Sequence, residues 1–418
     1  MKVDVVDRLV SGRTVVLEHI VRGRAGGLHH RPAKPWQHPA QRRGRVVAEL
    51  VELGDALSWN DQRVSRAQRT DVEKRQHVVV LVHAMAWNLA VENPIEDRGL
   101  APDHAFKCTD TLRPVIDLNA LPLSRLFDEL TSDGSLHSLV AAARREDLGE
   151  TGDVSTAAMI DAGRSVCATG VTRASGVVSG MPAISPILAG FDCAARVELL
   201  AADGETVDGP KDLWRLHGLL APILGVERTL LNIIGRLCGI ATLTARYVRE
   251  VSGTGAVVCD TRKTTPGLRS LEKYAVRCGG GTLHRLGLHD AVLLKDNHLA
   301  HLDPGELAAA VAKGVAAARA RHDLRFVEVE VDELEQLECL LECPAGLIDI
   351  VLLDNMTPGT LREAVALRDA RQPGLGLEAS GGITLDNVAA VARTGVDRIY
   401  IGALTHAVSS LDVSLEMR

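Results

Sequence analysis

Two lysines close two apolar runs: Lys263 follows GAVVCD and Lys295 ends DAVLLK. Thr261 and Arg262 directly precede Lys263, and between the two lysines lie Thr264, Thr265, a Gly279-Gly280-Gly281 run and the pair His284-Arg285. One such lysine is ordinarily a solvated side chain, and a lone His-Arg pair is ordinarily surface. Gathered after buried strands, these cations are what an enzyme needs to hold an anionic substrate, with Arg suited to bidentate carboxylate binding. Acids follow. Glu328 and Glu330 alternate with valines in VEVEV, so both face one side of their strand, and Asp354-Asn355 ends the next run. Ser380-Gly381-Gly382 and Gly402-Ala403-Leu404-Thr405-His406 end the last two, offering backbone N–H groups that can nest a phosphate. Together these ends supply cations for anionic groups, carboxylates for hydroxyls or a metal, and glycine turns for phosphates.

The elements that must position them form a repeating pattern from Gly255 onward. Strands are expected at 255–259, 290–295, 325–331, 348–353, 375–379 and 397–402, with helices between them. Asp303-Pro304-Gly305-Glu306, Thr357-Pro358 and Thr384 supply helix-start chemistry. Near-continuous Val/Ile/Leu strands alternating with helices imply a parallel sheet, and this many units imply a closed or nearly closed α/β barrel. An open doubly wound sheet would need a GxGxxG turn after its first strand, and there is none. Upstream, two helical pieces span 124–147, EDLGETGDVST reads as an acidic turn, and SVCATGVTR, SGVVSG and ARVELLAADGE read as strands around a helical ISPILAGF. That mixed order implies an N-terminal α+β sandwich. A long helix from Val226 carries Gly235, Gly239 and Ala241, small residues that suit close packing. The domain organisation expected is a sandwich over 113–235, with 407–418 packing back on it, and a barrel of about six to seven parallel strands over 236–406.

Residues 1–112 differ in texture. They hold Trp36, Trp59 and Trp87, and 17 Lys and Arg against 14 Asp and Glu, whereas the whole chain has a net charge of −7. HHRPAKPWQHPAQRRGR has no structural period, so this stretch reads as disordered or as sequence upstream of the true start. HVVVLVHAMAW (77–87) could form a strand, without a neighbour of matching period. Overall charge gives no reason to expect nucleic acid or an anionic membrane as partner. No apolar run reaches the length of a membrane span and no signal-peptide pattern opens the chain, so a cytoplasmic enzyme is expected. The 8 cysteines show no CxxC pairing and read as free thiols.

DTRKTTPGLRSLEKYAVRCGGG, HRLGLHDAVLLKDNH, EDLGETGD, ERTLLN, GIATLT, VEVEVDELEQL, LLDNM, EASGGIT and IGALTH resemble the motifs of the quinolinate phosphoribosyltransferases. The resemblance runs from about residue 118 to the C-terminus. It implies a homodimer or higher homo-oligomer in which the sandwich covers a neighbour's incomplete barrel. It further implies Mg²⁺-dependent joining of quinolinate to phosphoribosyl pyrophosphate, with release of pyrophosphate and CO₂ to give nicotinate mononucleotide in NAD biosynthesis. Carried over by motif, Arg228 (from the partner subunit), Thr261, Arg262, Lys263, His284, Arg285 and Lys295 would line the quinolinate pocket. Glu330 and Asp354 would face the ribose hydroxyls and Mg²⁺, and Ser380, Gly381, Gly402 and His406 would meet the phosphates. Lys263, Glu330 and Asp354 would be catalytic. Cys238, where serine is usual, and Leu283, where a polar residue is frequent, depart from the pattern without removing a charge. Two rival readings share the barrel: a related molybdenum-transport-associated pyrophosphorylase with another acceptor, and an aldolase-type lyase using Lys263 or Lys295 as a Schiff base.

Overall fold

The computed structural model describes residues 116–417. The expectations for residues 1–112, including a strand at 77–87, lie outside the described residues.

Three helices open the described chain: α1 (Leu123–Thr131), α2 (Ser135–Leu148) and α3 (Val154–Met159). The stretch expected as an acidic turn is therefore partly helical. Asp153 explains this, because its Oδ1 accepts from the backbone N–H groups of Ser155 and Thr156, both at 3.0 Å, and caps α3. Next come β1 (Ser165–Thr172), β2 (Gly176–Val177), α4 (Ile184–Gly190), β3 (Arg196–Leu199), β4 (Thr206–Val207) and β5 (Lys211–Leu219). β5 escapes sequence reading. Its KDLWRLHGL buries Leu213, Trp214 and Leu216 but is otherwise polar, as suits an antiparallel strand with one wet face.

β1 and β5 form the centre of a 4-stranded antiparallel sheet in the order β12-β1-β5-β3. Its outer strand β12 (Val413–Met417) comes from the far end of the chain. The long helix α5 spans Leu220–Glu250, starting six residues before the expected Val226. Pro222 sits in its first turn, where a missing N–H costs nothing. Gly235 and Gly239 let the returning C-terminal segment approach: a Cβ on Gly235 would lie 2.9 Å from the Leu411 carbonyl oxygen, and one on Gly239 would strike that of Ser409.

A 6-stranded parallel sheet follows, built from β6 (Val257–Cys259), β7 (Val292–Leu294), β8 (Val327–Val331), β9 (Ile350–Asp354), β10 (Gly376–Ser380) and β11 (Arg398–Tyr400), in the order β6-β11-β10-β9-β8-β7. Every expected barrel strand is present. A single parallel bridge, Cys259 to Thr282, adds a seventh short piece beside β6. No ladder among the described residues joins that piece to β7, so the barrel is incomplete. β9 and β10 are buried on both faces, as the apolar run of β9 requires, while β10 carries the buried Glu378 among its small and apolar residues. Helix starts follow expectation in part. Thr357 caps the helix Pro358–Arg371 by accepting from the Thr360 N–H at 3.2 Å. Pro304–Glu306 instead forms a 3₁₀ turn ahead of the helix Leu307–Arg319. Before Val388–Ala392 no side chain caps the helix at Asn387; the Asn387 Oδ1 instead reaches back to accept from the Thr384 N–H at 2.8 Å.

Candidate active site

All six strands run the same way, so the residues after them share one edge, where barrels assemble their sites. After β6, the Lys263 N–H donates to Thr261 Oγ1 at 2.9 Å and the Lys263 carbonyl accepts from Thr405 Oγ1 at 2.7 Å. That tie brings the β6 turn against the Gly402–His406 turn after β11. A Cβ on Gly402 would lie 3.0 Å from Lys263 Cδ and 3.1 Å from His406 Nε2. Lys263 and His406 are exposed, with free reach into the edge.

On the other side of the sheet, Lys295 after β7 forms an ion pair with Glu330 of β8. In between, Asp354 registers with Ser380 across β9 and β10, and Asp354 Oδ2 accepts from Asn355 Nδ2 at 2.6 Å. Gly381 has φ of 88°, and a Cβ there would run into Asn355. The turn after β10 is thus built for glycine, which keeps its backbone N–H groups open to a ligand.

His284 and Arg285 leave the short piece beside β6 and enter the barrel, with exposures of 0% and 6%. Arg285 Nε and Arg262 Nε are buried without a hydrogen-bond partner among the described residues. Burial and the neighbouring Arg262 cation both lower the Arg285 pKa. Two adjacent guanidiniums with unspent donors make a receptacle for carboxylates.

Beneath this edge lies a charged interior, of which the sequence singles out His284 and Glu328 as site residues. His284 Nε2 sits 2.7 Å from Glu328 Oε2 and 3.4 Å from Glu378 Oε1. Arg398 Nε donates to Glu378 Oε2 at 2.6 Å, and Lys273 Nζ donates to Asp260 Oδ1 at 2.6 Å. Burial depresses the His284 imidazole, but the Glu378 charge and the Glu328 hydrogen bond outweigh it and leave its pKa at about 9. Burial likewise acts against Glu378, yet His284 and Arg398 bring it down to about 2. Burial and the Glu378 charge push Glu328 up to about 7. Three cations (Lys273, Arg398 and protonated His284) thus face three acids, Asp260, Glu328 and Glu378.

That balance bears on metals. Among the described residues, a set of three His and carboxylate atoms close enough to share an ion is that of His284, Glu328 and Glu378. Since hydrogen bonds and Arg398 already engage them, the trio is an ion-pair network. Glu378 lies in GLGLEAS and shows the signal that singles out Glu328, an acid at an inward position of an apolar strand. Asp260, Lys273 and Arg398 carry no comparable local pattern.

Arg228 stands apart from the strand ends. It is exposed on α5, where its neighbour Thr229 donates to Asp147 of α2 at 2.9 Å. Two turns further along, Arg236, which sequence reasoning passes over, ties the site together. It donates to Glu272 at 2.7 Å, to Thr265 Oγ1 at 3.1 Å and to the Thr405 carbonyl at 2.8 Å. Neither rival Schiff-base lysine is desolvated: Lys263 is exposed, and Lys295 is held by Glu330. Cys238, the departure from the expected serine, is buried, bonds the Ser179 carbonyl at 3.4 Å, and has its thiol pushed by burial to about 12.

Known proteins match this architecture along its length. The family model described as quinolinate phosphoribosyl transferase, N-terminal domain, matches residues 153–238, and that of the C-terminal domain matches residues 240–416. The nicotinate-nucleotide pyrophosphorylase [carboxylating] of Mycobacterium leprae is 41% identical over 284 residues, covering 66% of this chain and 95% of that protein. A probable enzyme of the same name from Bacillus subtilis is 40% identical, covering 65% of this chain and 90% of its own length. Among solved structures, the nicotinate-nucleotide pyrophosphorylase of Francisella tularensis superposes with a TM-score of 0.61 at 32% identity, covering 72% of this chain and 99% of that one. With both domain models matched in order, and relatives of this identity covered almost end to end, the chain belongs to the quinolinate phosphoribosyltransferase family.

Proposed function

We infer that this protein transfers the phosphoribosyl group of phosphoribosyl pyrophosphate to quinolinate and releases CO₂, forming nicotinate mononucleotide. The observation that carries this reading is the pairing, on one barrel edge, of unspent cations with acids and glycine turns. Arg262, Arg285 and Lys263 face an acceptor that bears two carboxylates, and protonated His284, buried beneath them against Glu328 and Glu378, adds positive charge from below. Glu330, Asp354 and the turns at Ser380–Gly381 and Gly402–His406 face a phosphorylated ribose.

The chemistry asks for position and charge. Pyrophosphate departs from the ribose anomeric carbon as the pyridine nitrogen bonds to it, and the ribose gains cationic character on the way. Glu330 and Asp354, on adjacent strands, stabilise that charge, and the hydroxyls of the same sugar are hydrogen-bonded by their free oxygens. The bonded nitrogen is then a pyridinium, whose positive charge stabilises the electron pair left on the adjacent ring carbon as its carboxylate leaves as CO₂. The ring carbon takes up a proton. No covalent enzyme intermediate is needed.

Glu330 and Asp354 also have the hard oxygen donors that suit Mg²⁺, which favours one or two carboxylates plus phosphate oxygens. Each has one oxygen engaged, by Lys295 and by Asn355. When bound there, the ion would offset pyrophosphate charge. Arg228, exposed and away from the edge, would complete the acceptor pocket of a neighbouring copy in a homodimer or larger homo-oligomer. The test is direct: incubate the protein with quinolinate and phosphoribosyl pyrophosphate and follow CO₂ and mononucleotide. Turnover with nicotinate in place of quinolinate, and none with quinolinate, would defeat the assignment.

A further inference from the structure

The barrel's open seam exposes a structural problem beside His284 and Arg285. Thr282 pairs along the β6 edge: its N–H donates to the Val258 carbonyl at 2.8 Å, and its carbonyl accepts from the Asp260 N–H at 3.1 Å. Along an extended chain the next residue presents its backbone groups to the opposite side. Leu283 therefore points its N–H and C=O at the seam, where a closed barrel would have a strand. Leu283 is buried, with 1% exposure, so those groups have no recourse to water.

Asn119 meets both. Its Oδ1 accepts from the Leu283 N–H at 2.7 Å, and its Nδ2 donates to the Leu283 carbonyl at 3.1 Å. One carboxamide thus reproduces the pair of bonds a neighbouring strand would make. Asn119 is itself fixed. Its N–H donates to Asp117 Oδ1 at 2.9 Å, and its carbonyl accepts from Arg277 Nη2 at 3.0 Å. The same guanidinium donates through Nη1 to the Gly281 carbonyl at 3.0 Å. On the far edge, the Asp260 carboxylate accepts from the His284 N–H at 2.8 Å. Beyond the Thr282 bridge to β6, the segment carrying His284 and Arg285 is therefore held on both sides by side chains, Asn119 on the seam and Asp260 opposite.

We propose that Asn119 is a positioning residue, standing in for the missing barrel strand and so fixing where Arg285 meets the acceptor's carboxylates and where the His284 charge sits beneath it. The inference rests on the functional reading above, which puts the acceptor against Arg285. Displacements of about an ångström cost up to about a hundredfold where geometry carries the reaction. Among the described residues, the hydrogen bonds of Asn119 itself go to Asp117, Leu283 and Arg277 and not to β8 through β11, which carry the phosphoribosyl side, so the effect falls mainly on the acceptor.

The experiment compares wild type with Asn119→Ala and Asn119→Asp in steady-state kinetics and in calorimetric binding of quinolinate alone. Asn119→Ala raises the quinolinate KM about tenfold and weakens quinolinate binding by the same factor, with the phosphoribosyl pyrophosphate KM within about twofold. Asn119→Asp keeps the acceptor for the Leu283 N–H and loses the donor to its carbonyl, so it falls between; it is also the variant to read if the alanine does not fold. Ile187→Val, a change in a fully buried side chain of α4 with no part in the site, lowers stability and leaves the quinolinate KM alone. Unchanged quinolinate affinity in both Asn119 variants, an equal rise in both KM values, or the same rise in Ile187→Val would overturn the proposal. A wild type that neither binds nor consumes quinolinate instead removes the functional reading, and this inference with it.

Discussion

Glu378→Gln tests the charged interior beneath the site. The carboxylate accepts from Arg398 at 2.6 Å and lies 3.4 Å from His284 Nε2, fully buried. The amide keeps the shape and removes the charge, leaving two cations facing Glu328 alone. Breaking one partner out of a buried charge set costs about 3–5 kcal/mol. A second route gives a similar figure. His284 rises from 6.5 to about 9, and at about 1.4 kcal/mol per unit this is about 3 kcal/mol in favour of the protonated ring. The groups facing the ring are Glu328, Glu378, Tyr400 and, edge-on, Phe326. The sign follows from linkage. The folded state holds the His284 proton longer than the unfolded chain, so this stabilisation is full below pH 6.5 and is lost as pH rises through about 9. Urea unfolding at a series of pH values from about 6 to about 9.5 measures it: wild-type stability should decline across that window, and Glu378→Gln should start about 3 kcal/mol lower with a flatter decline. An unchanged urea midpoint, or an undiminished decline, would refute the claim that Glu378 holds His284 protonated.

Other expectations bear on the edge itself. Lys263→Ala should lower kcat/KM by about 10²–10³-fold with little change in melting temperature, because Lys263 is exposed and serves only the ligand; near-wild-type turnover would displace it from the site. Gly381→Ala should destabilise by about 1–3 kcal/mol and weaken phosphoribosyl pyrophosphate, since φ is 88° and the methyl meets Asn355. Thermal melts with and without that ligand would measure both effects. Chelating divalent cations should abolish turnover and added Mg²⁺ should restore it, while Glu330→Gln and Asp354→Asn should each raise the Mg²⁺ concentration needed. Full activity in chelator would remove the metal from the scheme.

Much of this is legible in the amino-acid sequence, for local reasons. Largely apolar runs ending in polar groups reveal the six barrel strands, because a parallel strand buried on both faces is mostly apolar and an acid within it, such as Glu328 or Glu378, needs a buried partner. The same logic puts Lys263, Lys295, Glu330, Asp354 and the glycine turns on one edge. The 211–219 strand stays hidden because a half-wet antiparallel strand needs no such run. Glu378 is open to the same inward-acid argument that picks out Glu328. Long-range partners have no local signature at all. Arg236 looks like any helix arginine until Thr265 and Thr405 arrive beside it from distant loops.

The sequence alone determined the order of the barrel's elements and the inventory of charges on the site's edge, since both depend on residues a few positions apart. Tertiary structure decided what those charges do. It sent His284 inward between two carboxylates, paired Lys295 with Glu330 and left Arg262 and Arg285 with donors to spend. It also brought Asn119 to Leu283 across 164 positions of chain. The physical reason is that a charge or a backbone amide taken out of water must find a partner, and which partner is near is a property of the packed fold.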